Sequence, residues 1–309
     1  MLSRQPFSRL IALALTLLTT VFAISASAAD ARAASDEKII VSGASGQLGE
    51  LTVKELLARG VPAKNLILVS RTPDKLSSYA KQGASVRFGD LTKPESLPAA
   101  YAGGSRMLLI SIGGGAGPRP QAHKRAIDAA KAAGIKQIAY TSWVGISKGE
   151  TTGLASDHLQ TEEILKQSGM AWTILRNSIY MDMVLQQGAQ MAAEGRAAAP
   201  TDEARIGYVT RQDCAAAAAA VLTPGHENKI YDITGPELIG TRELAAAVGA
   251  VTGKQIEVMT SNAPRRSFFG GPTTSVVSMA VADLTGRPAT NVRAFLESNK
   301  DALLKASKR

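Results

Sequence analysis

The stretch Lys38–Glu50, KIIVSGASGQLGE, joins a short apolar run to a turn with glycine at positions 43, 46 and 49. Lys38–Ser42 is bounded by turn residues and rich in β-branched side chains, so it reads as a strand. The glycines end it. The apolar spacing that follows predicts a helix running to Arg59 and closed by Gly60. A strand that enters a helix through such a turn is the context that gives the triplet meaning. Gly43 permits the tight turn, Gly46 lets backbone N–H groups approach a pyrophosphate, and Gly49 lets the helix pack close to the sheet. The helix N-terminus favours the anion.

Outward from this unit the chain keeps alternating. Asn65–Ser70 (NLILVS), Ser85–Gly89, Arg106–Ile112 (RMLLISI), Gln137–Ser142 (QIAYTS) and Ala171–Arg176 (AWTILR) read as strands. Helices are expected from near Pro73 and over Pro120–Ala133. The strands are apolar runs rather than alternations, as expected when helices cover both faces of a parallel sheet. Repeated strand–helix units imply right-handed crossovers and a doubly wound α/β sheet of Rossmann type. Beyond residue 180 the pattern loosens. Thr210-Arg211-Gln212-Asp213 has the character of a capping box before an alanine-rich helix that carries Cys214, the single cysteine, as a small buried hydrophobe. Lys229–Thr234 and Gln255–Met259 read as strands and Thr241–Val251 as a helix. A Gly-, Pro- and Ser-rich loop holding Arg265, Arg266, Phe268 and Phe269 precedes two helical segments. Residues 38–309 therefore form one NAD(P)-binding domain, with 181–309 contributing a smaller C-terminal substrate-side lobe.

The first residues carry a different signal. Arg4 and Arg9 form a basic start, Leu10–Ile24 is apolar, and Ala26-Ser27-Ala28 offers a small-x-small cleavage site. Residues 1–28 read as a signal peptide and 29–37 as a linker, which makes the protein an exported one. The alternative is a membrane anchor left by an uncleaved leader. The apolar stretch is short against the roughly 20 residues of a bilayer span, and no transmembrane segment is expected in the mature chain. Removing Arg4 and Arg9 with the leader takes the net charge from +9 to +7. The basic residues are scattered, so a solvated surface rather than a nucleic-acid partner is expected. An oligomer is compatible with everything above.

The end of the second strand bears on cofactor choice. A carboxylate there would bond both ribose hydroxyls of NAD. The chain has Ser70-Arg71-Thr72 instead, and Arg71 can clamp a 2′-phosphate with its planar donors. NADP(H) is thus the expected cofactor, with NAD(H) as the alternative. Asp90, closing the third strand, is suited either to the adenine amino edge or to a local cap.

The stretches VSGASGQLGE, HKRAIDAAKAAGIKQIAYTS, GLASDHLQTEEILKQSG, WTILRNSIY and VTRQDCAAAAAAVL are spread through residues 38–250. Together they resemble the NmrA-like branch of atypical short-chain dehydrogenases/reductases, and within it the bacterial type 2 NAD(P)H:quinone oxidoreductases. The resemblance implies an NADPH site built from Gly43, Ala44, Ser45, Gly46, Gln47 and Leu48, with Arg71, Ser111, Ile112 and Thr141-Ser142. It brings Leu154–His158 and Asn177 with Tyr180 toward the nicotinamide and substrate. Gly113-Gly114-Gly115 replaces a more serine-like turn.

Short-chain dehydrogenases commonly set a Tyr four residues before a Lys. Here His158 stands at the Lys position and Leu154 at the Tyr position, and Leu154 has no proton to give. Reduction of a quinone needs that acid less than alcohol dehydrogenation does, because the product oxyanion is aromatic and solvent can protonate it. The catalytic candidates are His158, Tyr180 and Asn177. His158 is either a cofactor or substrate contact or a helix-face residue paired with Glu162 at i,i+4. His123 and His226 read as surface residues. Trp143, Tyr180, Met181 and Phe268 are candidate pocket walls. The three histidines and one cysteine are too dispersed for a metal set. Two functions stay open: an NADPH-dependent oxidoreductase passing hydride to a small electron acceptor such as a quinone, and a non-catalytic NAD(P)-binding redox sensor or regulatory protein.

Overall fold

The computed structural model describes residues 37–113, 118–146, 153–201, 203, 205–261 and 275–307. The expected leader, most of the linker, and the loop with Arg265, Arg266, Phe268 and Phe269 lie outside these residues, as do Gly114 and Gly115. Everything below belongs to one compact unit that begins at Ile39.

Strands β1 (Ile39–Ser42), β2 (Leu66–Ser70), β3 (Ser85–Phe88), β4 (Arg106–Leu109), β5 (Gln137–Trp143), β6 (Ala171–Asn177), β7 (Arg196–Pro200), β8 (Lys229–Ile233) and β9 (Glu257–Ser261) fall into two sheets. The larger has the order β3-β2-β1-β4-β5-β6-β8, with every pairing parallel. The main helices are α1 (Gln47–Ala58), α2 (Arg119–Ala132), α3 (Gly153–Lys166), α4 (Asp182–Glu194), α5 (Arg211–Val221) and α6 (Thr241–Thr252). The connections run outward in opposite directions from β1 and β4, which leaves a crevice above the carboxyl ends of these strands.

Alternation along each strand splits the core in two. Val41, Leu66, Leu68 and Leu108 pack with Leu48, Val53 and Leu56 of α1 on one face. Ile40, Ile67, Val69, Met107 and Leu109 pack with Ala122, Ala126 and Ile127 of α2 on the other. Each fully buried aliphatic side chain contributes about 1.5–3 kcal/mol, so β1 is stabilised from both faces. The alanine run explains itself here: Ala215–Ala220 are all buried on α5, and Ala215, Ala217, Ala218 and Ala219 share a cluster with α1. Side chains this small let two helices lie together on one sheet face. Thr210 starts α5 as expected, its Oγ1 accepting from Asp213 N at 3.0 Å.

α5 and β8 fall in residues 181–309 yet build the main sheet layer. The lobe proper is α4, α6, the short helices Val292–Ser298 and Lys300–Ala306, and the parallel pair β7–β9, around a third core of Val184, Leu244, Val248, Leu296 and Leu303. β7 (RAAAP) has little strand propensity of its own; backbone pairing with β9 fixes it. β4 stops at Leu109, three residues short of the expected Ile112, because Ile110–Ile112 leave the sheet to line the crevice. Among the described residues no helix is long and apolar enough to cross a membrane.

Candidate active site

The turn after β1 is held by the neighbouring strand. Gly43 N and Ala44 N both donate to Val69 O at 3.0 Å, and Gly43 adopts φ +92°. A Cβ at Gly49 would stand 2.2 Å from Gly43 O, so only glycine lets α1 start this close to the strand. Gly46 differs. A Cβ there would meet only Gly43 O at 3.4 Å, an ordinary contact, so the fold itself does not demand a glycine. Gly46 is the N-cap of α1 and offers no capping side chain, which leaves first-turn N–H groups directed at the crevice.

Two adjoining hollows meet at this turn and share Gly43, Gly46 and Ile110–Gly113. The first, about 680 Å³, is polar at its far end: Ser45, Ser70, Arg71, Thr72, Lys75 and Asp90 line it. Ser45 Oγ lies 2.6 Å from Ser70 Oγ and 3.2 Å from Thr72 Oγ1. Arg71 and Lys75 are exposed at this rim. Lys75 is a second cation that the sequence reading missed, although a basic residue one turn past Arg71 was a usable signal. Asp90 makes the local cap: its Oδ1 accepts from Thr92 N at 2.9 Å and Thr92 Oγ1 at 2.8 Å. It lines the hollow as well, so both expected roles are compatible.

The second hollow, about 440 Å³, is lined by Gln47, Leu48, Ser111, Ile112, Thr141, Trp143, Leu154, His158, Asn177, Tyr180, Met183 and Arg211 among others. Thr141 Oγ1 accepts from Ser111 N at 2.8 Å and so ties the loop after β4 to β5. Asn177 Oδ1 and Ser178 Oγ are buried with no hydrogen-bond partner among the described residues, so each has bonding capacity to offer a bound molecule. Tyr180 carries the Arg211 guanidinium 4.3 Å from its ring centroid, and Arg211 is paired with Asp182. Burial pushes the Tyr180 phenol well above its usual range, with Cys214 adding to the effect.

Several expectations need correction. Met181 is fully buried in the lobe core, and Met183 takes the place expected for it at the pocket wall. His123 is not a surface residue: it is completely buried between α2 and β5, 3.4 Å from Tyr140 and 3.1 Å from Thr161. His226 is half-buried and bonded to the Tyr231 hydroxyl at 2.9 Å. His158 does not pair with Glu162. Its Nδ1 lies 2.8 Å from the Tyr140 hydroxyl oxygen, while buried Glu162 accepts from Arg176 at 2.7 and 2.9 Å and from Ser142 at 2.7 Å. Desolvation first, then the nearby Arg119 charge, lowers both His123 and His158 to about 3.

A parallel sheet whose strand order reverses at a glycine turn, with cations beyond β2 and orphaned polar atoms at the carboxyl end of β6, defines a Rossmann-type dinucleotide-binding protein. Residues 43–224 match the family model described as NAD(P)H-binding. The chain belongs to this NAD(P)H-binding, NmrA-like family. It is 37% identical over 219 residues to quinone oxidoreductase 2 of Escherichia coli strain K12, covering 71% of this chain and 76% of that one. The crystal structure of the E. coli NADPH-dependent quinone oxidoreductase complexed with NADPH matches with TM-score 0.75 at 32% identity, covering 85% of this chain and 99% of that one. Triphenylmethane reductase of Citrobacter sp., complexed with NADP(H), matches with TM-score 0.73 at 31% identity, over 87% and 99% of the two chains.

Proposed function

We propose that this protein is an NADPH-dependent oxidoreductase that reduces quinones and similar planar, electron-poor molecules. The observation that carries the reading is the continuity of the two hollows across the glycine turn: an anion-binding end with Arg71 and Lys75, and an apolar-walled end where Asn177 Oδ1 and Ser178 Oγ have no partner among the described residues. The kinship with a quinone oxidoreductase and a dye reductase supports it.

In this reading Gly46, Gln47 and Leu48 meet the pyrophosphate at the start of α1. Ala44, expected there, is fully buried and only shapes the turn, its N–H and that of Gly43 being committed to Val69 O. Arg71 and Lys75 hold the 2′-phosphate and Asp90 the adenine edge. Ser111, Ile112, Thr141 and His158 flank the nicotinamide half. Bound NADPH supplies the hydride. Trp143, Leu154 and Met183 present an apolar wall to a flat acceptor, and Asn177 and Tyr180 offer it hydrogen bonds. With a pKa of about 3, His158 is neutral at working pH and donates as an imidazole rather than transferring a proton. The Tyr180 phenol likewise holds its proton at oxygen. The proton that completes the product therefore comes from solvent.

That no poised acid stands among the described residues also favours the second reading, a non-catalytic dinucleotide-binding regulator. Acceptor screening separates the two: NADPH oxidation is expected with quinones and cationic dyes and not with simple aldehydes, whereas a regulator oxidises NADPH with none of them. We also propose that residues 1–28 are an export leader. N-terminal sequencing of protein from its host should then begin near Ala29, and an intact Met1 on soluble protein would refute it.

A further inference from the structure

Behind the second hollow a buried chain of hydrogen bonds links a backbone amide to His158. The Ile112 N–H meets His123 Nε2 at 3.2 Å, and Arg119 Nε holds the Ile112 carbonyl at 2.9 Å. An amide N–H can only donate, so His123 Nε2 accepts, and the neutral ring carries its proton on Nδ1. That proton faces Thr161 Oγ1 at 3.1 Å, whose own hydroxyl hydrogen is committed to Asp157 O at 2.9 Å. The Tyr140 hydroxyl, 3.4 Å from the protonated His123 Nδ1, cannot donate to it. Thr161 and Ser111 also border that hydroxyl, and we take its shortest contact, to His158 Nδ1 at 2.8 Å, to receive the proton. His158 must then carry its hydrogen on Nε2, which has no hydrogen-bond partner among the described residues, and its ring lines the crevice.

We propose that Ile112 N–H, acting through His123 and Tyr140, fixes His158 as an Nε2–H donor toward the crevice. Tyr140 is then a positioning residue, and the ligand atom that His158 meets is a hydroxyl or carbonyl oxygen. That chemistry is shared by the ribose of a dinucleotide and by a quinone. The ligand half rests on the function proposed above; the tautomer does not. Desolvation of both rings keeps them uncharged, which a tautomer relay requires. Ile112 borders both hollows, so the loop that a dinucleotide would touch also sets the hydrogen position on His158.

The test is imidazole 15N NMR on the full chain without ligand, with His158→Asn identifying the His158 signals by their loss. The relay requires a single tautomer in the unmodified protein, Nε2 protonated and Nδ1 bare. Tyr140→Phe should produce tautomer averaging or a swap. A protonated Nδ1 or tautomer averaging in the unmodified protein overturns the relay without recourse to any variant, and so does an unchanged Nε2–H tautomer in Tyr140→Phe. For the ligand, loss of one neutral hydrogen bond corresponds to roughly three- to tenfold. A weaker Kd for NADPH in Tyr140→Phe with unchanged KM for benzoquinone assigns the ribose; the reverse assigns the carbonyl. Neither moving overturns the ligand half. An unmodified protein that binds no NADPH defeats the proposed function instead, while its spectrum still decides the relay.

Discussion

The carbonyl oxygen of Gly43 lies 2.2 Å from where a Cβ on Gly49 would stand, and 3.4 Å from where one on Gly46 would. Two glycines of one motif are therefore there for different reasons. Gly49→Ala forces strand and helix apart and should cost stability on the order of 1–3 kcal/mol or more. Gly46→Ala should melt near the parent temperature and yet lose NADPH affinity, because its methyl group occupies the approach to the α1 N-terminus. Thermal melts and NADPH titrations of the two variants check this, and equal loss of stability in both would contradict it.

Cofactor selectivity is expected to sit at the rim beyond β2. Arg71→Asp removes a charge-assisted contact, worth roughly 1.5–3 kcal/mol, and adds a repulsive carboxylate. NADPH should bind at least about tenfold more weakly, while NADH changes little or improves. Lys75→Ala should act in the same direction and more mildly. Comparative Kd values decide it; equal weakening of both cofactors would place Arg71 in the fold or at the pyrophosphate.

Acid should destabilise the protein through its buried imidazoles. His123 and His158 titrate at about 3 when folded, against an ordinary value of 6.5. Above the ordinary value both states of the chain are neutral there, and stability is at its full level. Below it the unfolded chain binds two protons that the folded chain refuses, so stability falls as pH drops and keeps falling until near the folded value. The slope from this pair is at most about 2.7 kcal/mol per pH unit. Melts between about pH 7 and pH 4.5 should show the decline, and His158→Asn should reduce it by about half. An unchanged slope in that variant would contradict the account.

Much of this was legible locally. A strand, a glycine triplet and a helix are contiguous, so Lys38–Arg59 announced both the fold and the pyrophosphate end, and Arg71 followed by position alone. The relay was not legible. His123 comes from α2, Tyr140 from β5 and His158 from α3, and only crossover packing brings them together. A histidine on an alanine-rich helix looks solvent-facing until the sheet that covers it is known. The pairing of His158 with Glu162 failed for the same reason: i,i+4 spacing permits the contact, but Arg176 on β6 competes for the carboxylate with bidentate geometry. Met183 rather than Met181 reaches the pocket wall because the chain turns into α4 at Asp182.

If no side chain transfers the proton, no single substitution should remove the factor of about 10²–10⁴ typical of general acid–base catalysis. His158→Ala should raise KM with a modest loss in kcat, the pattern of lost uniform binding. Tyr180→Phe should be mild as well. The pH profile of kcat should show no inflection from His158 near its ordinary value. A drop in kcat beyond about a thousandfold in either variant, with NADPH affinity intact, would show that a protein acid exists.

The most direct test of the central claim is a single turnover under anaerobic conditions, with protein in excess over NADPH and benzoquinone added by rapid mixing. The account predicts that the bound nicotinamide absorbance decays in step with hydroquinone formation, one molecule for one. Deuterium at the transferred C4 position should slow that decay. NADPH that binds and stays reduced in the presence of quinone would contradict the account and leave a dinucleotide-binding regulator in its place.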